Sequence, residues 1–129
     1  MNKSILITAA ILGVLSIALG AFAAHGLKKA IPVESIATFE TGVKYQMYHA
    51  LLLLFVGSSP YVSLSYQKII FYLTITGIIL FSGSIYLLAT NTLTSFDFKK
   101  IGFVTPIGGV FLILSWVFLL INFLKIKLN

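Results

Sequence analysis

The sequence has 129 residues, enough for one compact unit, and its composition is far from that of a water-soluble domain. Hydrophobic residues make up 59% of the chain, charged residues only 9%, and the mean hydropathy is +1.06. A soluble domain has about 25% charged residues to cover its surface. The composition therefore predicts a single integral membrane domain over residues 1–129, a multi-pass protein of a cell membrane.

The net charge of +6 comes from nine lysines against Glu34, Glu40 and Asp97, and the chain has no arginine. The lysines stand singly or in pairs at the ends of apolar runs. This placement suits anchoring at lipid headgroups and does not form the continuous basic face that nucleic-acid binding requires. The expected partners are membrane lipids, with other membrane proteins or a second copy of the chain also considered. The lack of cysteine excludes disulfides, thiol catalysis and thiolate metal sites.

Four apolar segments predict four transmembrane helices, near residues 4–25, 33–57, 68–90 and 102–125. A helix needs about 20 residues to cross a hydrocarbon core of ~30 Å, and the first, third and fourth segments are uncharged over about that length. None alternates polar and apolar residues as a barrel strand does, so the predicted fold class is an all-α bundle. The first run also exceeds the roughly 7–15 apolar residues of a signal peptide, which favours a retained helix over a cleaved one.

The second helix is predicted to be long, with an amphipathic N-terminal half at the membrane interface. Pro32 marks its start, and Glu34 suits the electropositive first turn of a helix. Apolar residues recur on one face at steps of three and four: Ile36, Phe39, Val43, Met47, Ala50 and Leu54. We expect this helix to enter at an angle and then span. Four spans would put four lysines on one side and five on the other, so the lysine count does not decide the orientation.

Small residues predict where the helices approach closely, because van der Waals packing holds helices together in lipid. The first helix carries such residues at steps of three and four: Ala9, Gly13, Ser16, Gly20 and Ala24. In the third and fourth helices the small residues come in pairs seven apart: Gly77 with Ser84, and Gly108 with Ser115. We predict that Gly13, Gly20, Gly77 and Gly108 lie at helix contacts within the chain rather than at a homodimer face.

The two histidines are the residues that most suggest chemistry. His49 is predicted to lie ~12 Å inside the second helix, near the middle of the membrane, where ionisable groups are candidate functional sites. Three interpretations stay open: a neutral ring bonded to a third-helix hydroxyl or first-helix carbonyl, a proton- or ligand-handling residue, or a metal ligand. The metal interpretation lacks a recognisable ligand spacing, and no metal or cofactor is predicted. His25 ends the first helix, where the expected neighbours are Glu40 and Tyr45.

Polar residues spread over the predicted helices form a candidate polar or ligand site. Its members are His25, Tyr45, Gln46, His49, Ser82, Ser84, Tyr86 and Thr105. An intramembrane hydrolase is a further hypothesis, in which Ser82 is the nucleophile and His49 the base. That arrangement also needs an orienting acid, and the sequence places none at membrane depth. No complete catalytic set is therefore present, and the sequence predicts no enzyme.

Four local patterns resemble a known family. They are GAFAAHGL at 20–27, TGVKYQMYHAL at 41–51, FSGSIY at 81–86 and TPIGG at 105–109. In this order and spacing they are similar to the domain-of-unknown-function-423 family of small bacterial inner-membrane proteins, itself related to a eukaryotic small transmembrane protein family. Ala23 and Ser115 stand where that family commonly has glycine. The resemblance implies four helices and a membrane location, and it implies no activity.

Two functions follow from these observations. The first is a non-enzymatic membrane accessory or interaction component, favoured because little of the chain lies outside the predicted spans. The alternative is a small transporter or a lipid- or ligand-pocket protein that uses a polar site centred on His49. A four-helix carrier would need to oligomerise to enclose a path. A dry packed core would favour the first function, and a water-accessible cavity at His49 would favour the second.

Overall fold

The computed structural model describes residues 2–127, and every regular element within them is helical. Four long helices are present: α1 (Lys3–Ala24), α2 (Val33–Ser58), α3 (Leu64–Ala89) and α4 (Val104–Lys125). Short 3₁₀ turns lie in the connections, at Leu27–Lys29, Asn91–Leu93 and Phe98–Ile101. The predicted all-α class is confirmed. By length and hydropathy, α1, α3 and α4 qualify as membrane spans, and α2 does not.

Side-chain caps, rather than the edges of the apolar runs, set the starts of α1 and α3. α3 begins at Leu64, earlier than the predicted residue 68, because the Ser63 side chain caps the helix by accepting from the Tyr66 N–H. The Asn2 side chain caps α1 in the same way by accepting from the Ile5 N–H. Pro32 stands directly before α2, where the sequence placed the start of that helix.

A π-helical turn at Ile79–Gly83 interrupts α3, and the sequence did not predict it. The helix is regular before the turn, over Leu64–Ile78, and after it, over Ser84–Ala89. The backbone of this turn lies directly against Gly108 of α4, because a Cβ at that glycine would stand 2.6 Å from the Leu80 carbonyl carbon. Single π turns within α-helices often occur at functional sites, so the residues around this turn are candidates for a site.

The four helices pack as two pairs, α1 along α2 and α3 along α4, with α2 also contacting α3. The alignment of the first pair is fixed at three levels. At one end the Asn2 N–H donates to the Gly57 carbonyl (2.7 Å), and in the middle the Gln46 side chain donates to the Leu12 carbonyl (3.0 Å). At the other end the rings of Phe22 and Phe39 are 6.5 Å apart. Residues 39–57 of α2 therefore run alongside α1, and residues 33–38 extend beyond its end.

The face of α2 that packs into the bundle differs from the predicted apolar stripe. Ile36 and Phe39 are buried as expected, but Leu54 is 39% exposed. Between Phe39 and Leu54, Ala50 of the stripe is also buried, together with the polar Gln46 and His49. In lipid an apolar side chain gains nothing by leaving the surface, whereas a polar side chain must find a partner inside. The apolar stripe therefore marks the buried face of α2 as far as Ala50, and the polar residues Gln46 and His49 share that face.

Candidate functional site

Gln46 links three helices through its side-chain amide. Its Nε2 donates to the Leu12 carbonyl of α1 (3.0 Å), and its Oε1 accepts from the Tyr86 hydroxyl of α3 (2.7 Å). One turn away, the Ser82 hydroxyl donates to the Gly42 carbonyl (2.7 Å), which joins the π turn to α2. The structure thus brings Gln46, Ser82 and Tyr86 together as predicted site residues, each with its polar atoms bonded to the protein.

His49 is bonded through both ring nitrogens. Its Nε2 lies 3.1 Å from the indole Nε1 of Trp116 on α4, and its Nδ1 lies 2.7 Å from the Tyr45 carbonyl. An indole N–H can only donate, so Nε2 accepts and Nδ1 carries the hydrogen that is donated to Tyr45. This geometry requires a neutral ring. The expected partner on another helix is present, but it is Trp116 rather than a third-helix hydroxyl or first-helix carbonyl.

The remaining predicted site residues lie elsewhere. The hydroxyls of Ser84 and Thr105 are 2.5 Å apart and tie the end of α3 to the start of α4. His25 is the exposed C-terminal cap of α1, and its side chain makes no hydrogen bond to any residue in the part of the chain that the structure describes. The predicted set is therefore several separate contacts rather than one pocket, and any binding role for it stays a prediction.

The four glycines predicted at helix contacts occupy different environments. A Cβ at Gly108 or Gly77 would collide with α3 or α4 backbone or side chains, so both allow close approach of these helices. A Cβ at Gly20 would make an ordinary contact with Val43 at 3.6 Å. Within residues 2–127, no atom beyond the local backbone of α1 lies within 4 Å of a Cβ built at Gly13, so no described helix packs closely there. The small-residue row on α1 is therefore not a continuous contact face.

Several polar contacts were missed by the sequence reasoning. The Thr74 hydroxyl donates to the Ser115 hydroxyl across α3 and α4 (2.9 Å). Asn122 fastens the α2–α3 connection to α4, because its Oδ1 accepts from the Ser63 N–H (3.1 Å) and its Nδ2 donates to the Tyr61 carbonyl (2.8 Å). The available signal was a polar residue inside an otherwise apolar run, since such a residue must find a partner on a neighbouring segment.

A groove of about 320 Å³ lies between α2, the π turn of α3 and α4. Its lining residues are Tyr45, His49, Phe81, Gly109, Leu112, Ile113 and Trp116. The groove opens on the outer face of the bundle, where Tyr45 is 41% and Trp116 49% exposed. The His49 ring, 4% exposed, belongs to its inner wall. We refer to this feature as the Trp116 groove.

The arrangement does not assemble the hydrolytic pair considered from the sequence. The Ser82 hydroxyl donates to a backbone carbonyl, and His49 Nε2 accepts from an indole. Residues 2–127 contain no cluster of three or more histidine, cysteine, aspartate or glutamate side chains that could hold a metal ion. What the polar side chains do in this geometry is hold helices together.

Outside the helical bundle, Asp97 organises the α3–α4 connection. Its carboxylate accepts from the Lys99 N–H and from the Asn91 side-chain amide, each at 3.1 Å. These two hydrogen bonds, the backbone one foremost, hold the pKa of the Asp97 carboxyl below its usual value. The Asn91 side chain in turn accepts from the Phe98 N–H (2.7 Å), so the connection is a bonded turn.

Comparison with known proteins places this architecture in a family. The family described as "Protein of unknown function (DUF423)" matches residues 19–109. The chain is 37% identical over 125 residues to the UPF0382 membrane protein YwdK of Bacillus subtilis (strain 168), covering 95% of this chain and 98% of that protein. It is 36% identical over 128 residues to the UPF0382 inner membrane protein YgdD of Escherichia coli (strain K12), covering 98% and 93%. No solved structure matches.

Proposed function

Because this chain belongs to the DUF423 family of small membrane proteins, we propose that it is a non-enzymatic, four-span membrane component that acts by contact with other molecules of the bilayer. The family membership predicted from the sequence patterns is confirmed, and with it the location of the chain in the inner membrane as a multi-pass protein. The number of spans and the mode of action are the new parts of the proposal.

The fourth span is supported by the alignment of α2 with α1. Hydrogen bonds and ring contacts set residues 39–57 beside the whole length of α1. If α1 crosses the membrane, this part of α2 crosses it too, at ~28 Å by helical rise. Its low hydropathy comes in part from Gln46 and His49, which are buried and bonded inside the bundle. Lys44 is exposed toward the end where α2 begins, so its stem can carry the ammonium to the headgroups.

The non-enzymatic part rests on how the central polar side chains are bonded. Gln46, Ser82, Tyr86 and His49 all bond across helices, so their polar atoms are already engaged within the protein. Bonded in this way, these residues stabilise the bundle, as interhelical hydrogen bonds do in lipid. This is the outcome that favours a contact function over catalysis or transport.

The alternative function has two parts, a transporter and a pocket protein, and the same geometry supports them unequally. A carrier needs a path reachable from both sides, and the Trp116 groove opens sideways instead, between exposed residues of α2 and α4. The pocket half of the alternative therefore keeps support, whereas the transport half has none among the described residues.

The span count can be tested with single cysteines, because the natural chain has none. Lys29→Cys, Ser65→Cys and Ser95→Cys all fall on exposed positions in connections or at a helix start. With four spans, a membrane-impermeant maleimide labels positions 29 and 95 from one side and position 65 from the other. With three spans, positions 29 and 65 would label together and position 95 from the opposite side, which would overturn the topology.

Transport can be tested in proteoliposomes that hold a pH gradient. We expect the gradient to decay at the rate of protein-free liposomes, and the His49→Ala variant to behave like the natural chain. A proton flux that requires His49 would contradict the contact function and support the transporter.

A further inference from the structure

We propose that the Trp116 groove binds the planar ring of a membrane-soluble quinone, a ring with two carbonyl acceptors and an apolar tail. The inference rests on the proposed four-span topology, because that topology puts the groove inside the bilayer. It adds a ligand class to a site that the contact function leaves unassigned.

The position of the groove indicates the phase from which its ligand enters. Tyr45 and His49 lie in the middle third of α2 (Val33–Ser58), and Trp116 lies near the middle of α4 (Val104–Lys125). The opening is flanked by exposed apolar side chains such as Ile113. A molecule that enters here arrives from the hydrocarbon phase rather than from water, so it must be lipid-soluble.

The walls select a flat shape. The rings of Tyr45 and Phe81 are 5.0 Å apart between centroids, and those of His49 and Trp116 are 6.2 Å apart. Aromatic walls favour a planar guest, which can stack or meet their edges. Gly109 leaves room beside Phe81, where a Cβ would make only ordinary contact at 3.6 Å. The volume of about 320 Å³ is near the lower end of ligand pockets, roughly 300–1,000 Å³, and suits one ring system better than a whole phospholipid.

The polar atoms that line the groove indicate that the ligand carries a hydrogen-bond acceptor. Both nitrogens of His49 are already bonded. The Tyr45 hydroxyl, by contrast, makes no hydrogen bond to any residue between 2 and 127, although its side chain lines the groove. A phenol hydroxyl at membrane depth is costly without a partner. A quinone carbonyl supplies an acceptor to that donor, whereas an acyl chain supplies none, and the absence of a charged residue from the lining argues against an ionic ligand.

The chain's single tryptophan provides the assay, because Trp116 is itself part of the site. Purified protein in nanodiscs of phosphatidylcholine is titrated with a short-tailed benzoquinone while the Trp116 fluorescence is recorded. We expect saturable quenching. Tyr45→Phe should weaken the apparent affinity about three- to tenfold, as the loss of one hydrogen bond predicts. Tyr72→Phe removes an exposed phenol of α3 that lies outside the groove, and it should bind like the natural chain.

Gly109→Leu is the variant designed to fill the groove, and it should abolish saturable quenching. Gly109→Ala, which adds only an ordinary contact, serves as the second variant if Leu disturbs folding, and circular dichroism reports on both. An alkylbenzene with the same tail should not compete with the quinone. Linear quenching that is equal in all variants, or competition by the alkylbenzene, would overturn the proposal. Quenching by mid-chain brominated lipid that quinone cannot relieve would also overturn it, and would assign the groove to acyl chains. The cysteine-labelling result stands apart from all of these outcomes.

Discussion

The two helix pairs hold together by different means, although both carry rows of small residues. In the α3–α4 pair, Gly77 and Gly108 stand where a side chain would overlap the neighbouring helix, and Thr74 bonds to Ser115 in the same seam. In the α1–α2 pair, Gly13 of the α1 row meets no other described segment, and the close approach is at Gly57 of α2, where a Cβ would stand 3.0 Å from Ile5. The central contact of this pair is the bond from Gln46 to the Leu12 carbonyl. A glycine therefore marks a close contact only where a neighbour's atoms come near its Cα. Spacing along one helix does not tell which glycines those are.

Leucine substitutions should give the largest contrast between the two pairs. At Gly108 a side chain would meet the backbone of Leu80 and Phe81, which cannot rotate away. We expect Gly108→Leu to destabilise the protein by at least the ~1–3 kcal/mol typical of overpacking. Gly13→Leu should change stability by no more than about 0.5 kcal/mol, as for a surface site. Thermal unfolding in matched detergent measures both. Equal losses for the two variants would mean that α1 packs against something at Gly13 after all.

His49 tests the link between the two pairs, because its bond to Trp116 joins α2 to α4. His49→Leu removes one interhelical hydrogen bond, for which measured values average about 0.6 kcal/mol. His49→Lys places a charge at the same buried position, and it should cost about 2.5–3.5 kcal/mol. Both are measured by unfolding in one detergent, with His25→Leu as the matched control at an exposed histidine. Lysine tolerated as well as leucine would show that the ring is not enclosed in the membrane.

The smallest expected effect is a local one, in the connection between α3 and α4. Hydrogen bonds lower the pKa of Asp97 relative to the unfolded chain, where an aspartate has a pKa near 3.9. The ionised carboxylate therefore contributes fully to the stability of the folded connection above about pH 4. This contribution is lost as the pH falls through the lower pKa that Asp97 has in the folded protein. The Asn91 side-chain amide resonance should be constant down to about pH 4 and then shift, and Asp97→Asn should remove the shift. A shift that begins near neutral pH would contradict this assignment.

The helices themselves were predictable because crossing a membrane requires long apolar runs, and those runs are visible in the sequence. Pro32 and the apolar step pattern located α2 as well. The start of α3 was set too late because hydropathy drops at Gln67 and Lys68, whereas the cap at Ser63 decides the helix end. The π turn has no such signature. It depends on the fit of Phe81 against Gly108, a contact between segments that are distant in sequence.

The candidate site was predictable only as a list of residue types. That His49 needs a partner follows from its predicted depth, but the choice of Trp116 depends on how α4 is rotated against α2. His25 was grouped with the site because its helix ends near the start of α2, yet the chain turns outward there and leaves the ring exposed. Grouping residues by the expected neighbourhood of their helices was therefore correct for Tyr86 and Gln46, which are bonded, and wrong for His25 and Tyr45.

The π turn of α3 determines which way the residues that follow it face. One residue beyond the α-helical period rotates everything after it by about 100°. Before the turn, α3 presents Thr74 to α4, and after it the same helix presents Tyr86 to α2. If the turn became regular α-helix without losing a residue, the phenol of Tyr86 would rotate away from Gln46 by that angle, whereas a single-residue deletion within 79–83 would give a regular helix that keeps Tyr86 on this face. A relative that lacks one residue in this stretch should therefore keep the contact between Tyr86 and Gln46 through an uninterrupted helix, and the connections at 25–32 and 90–103 should absorb larger changes in chain length.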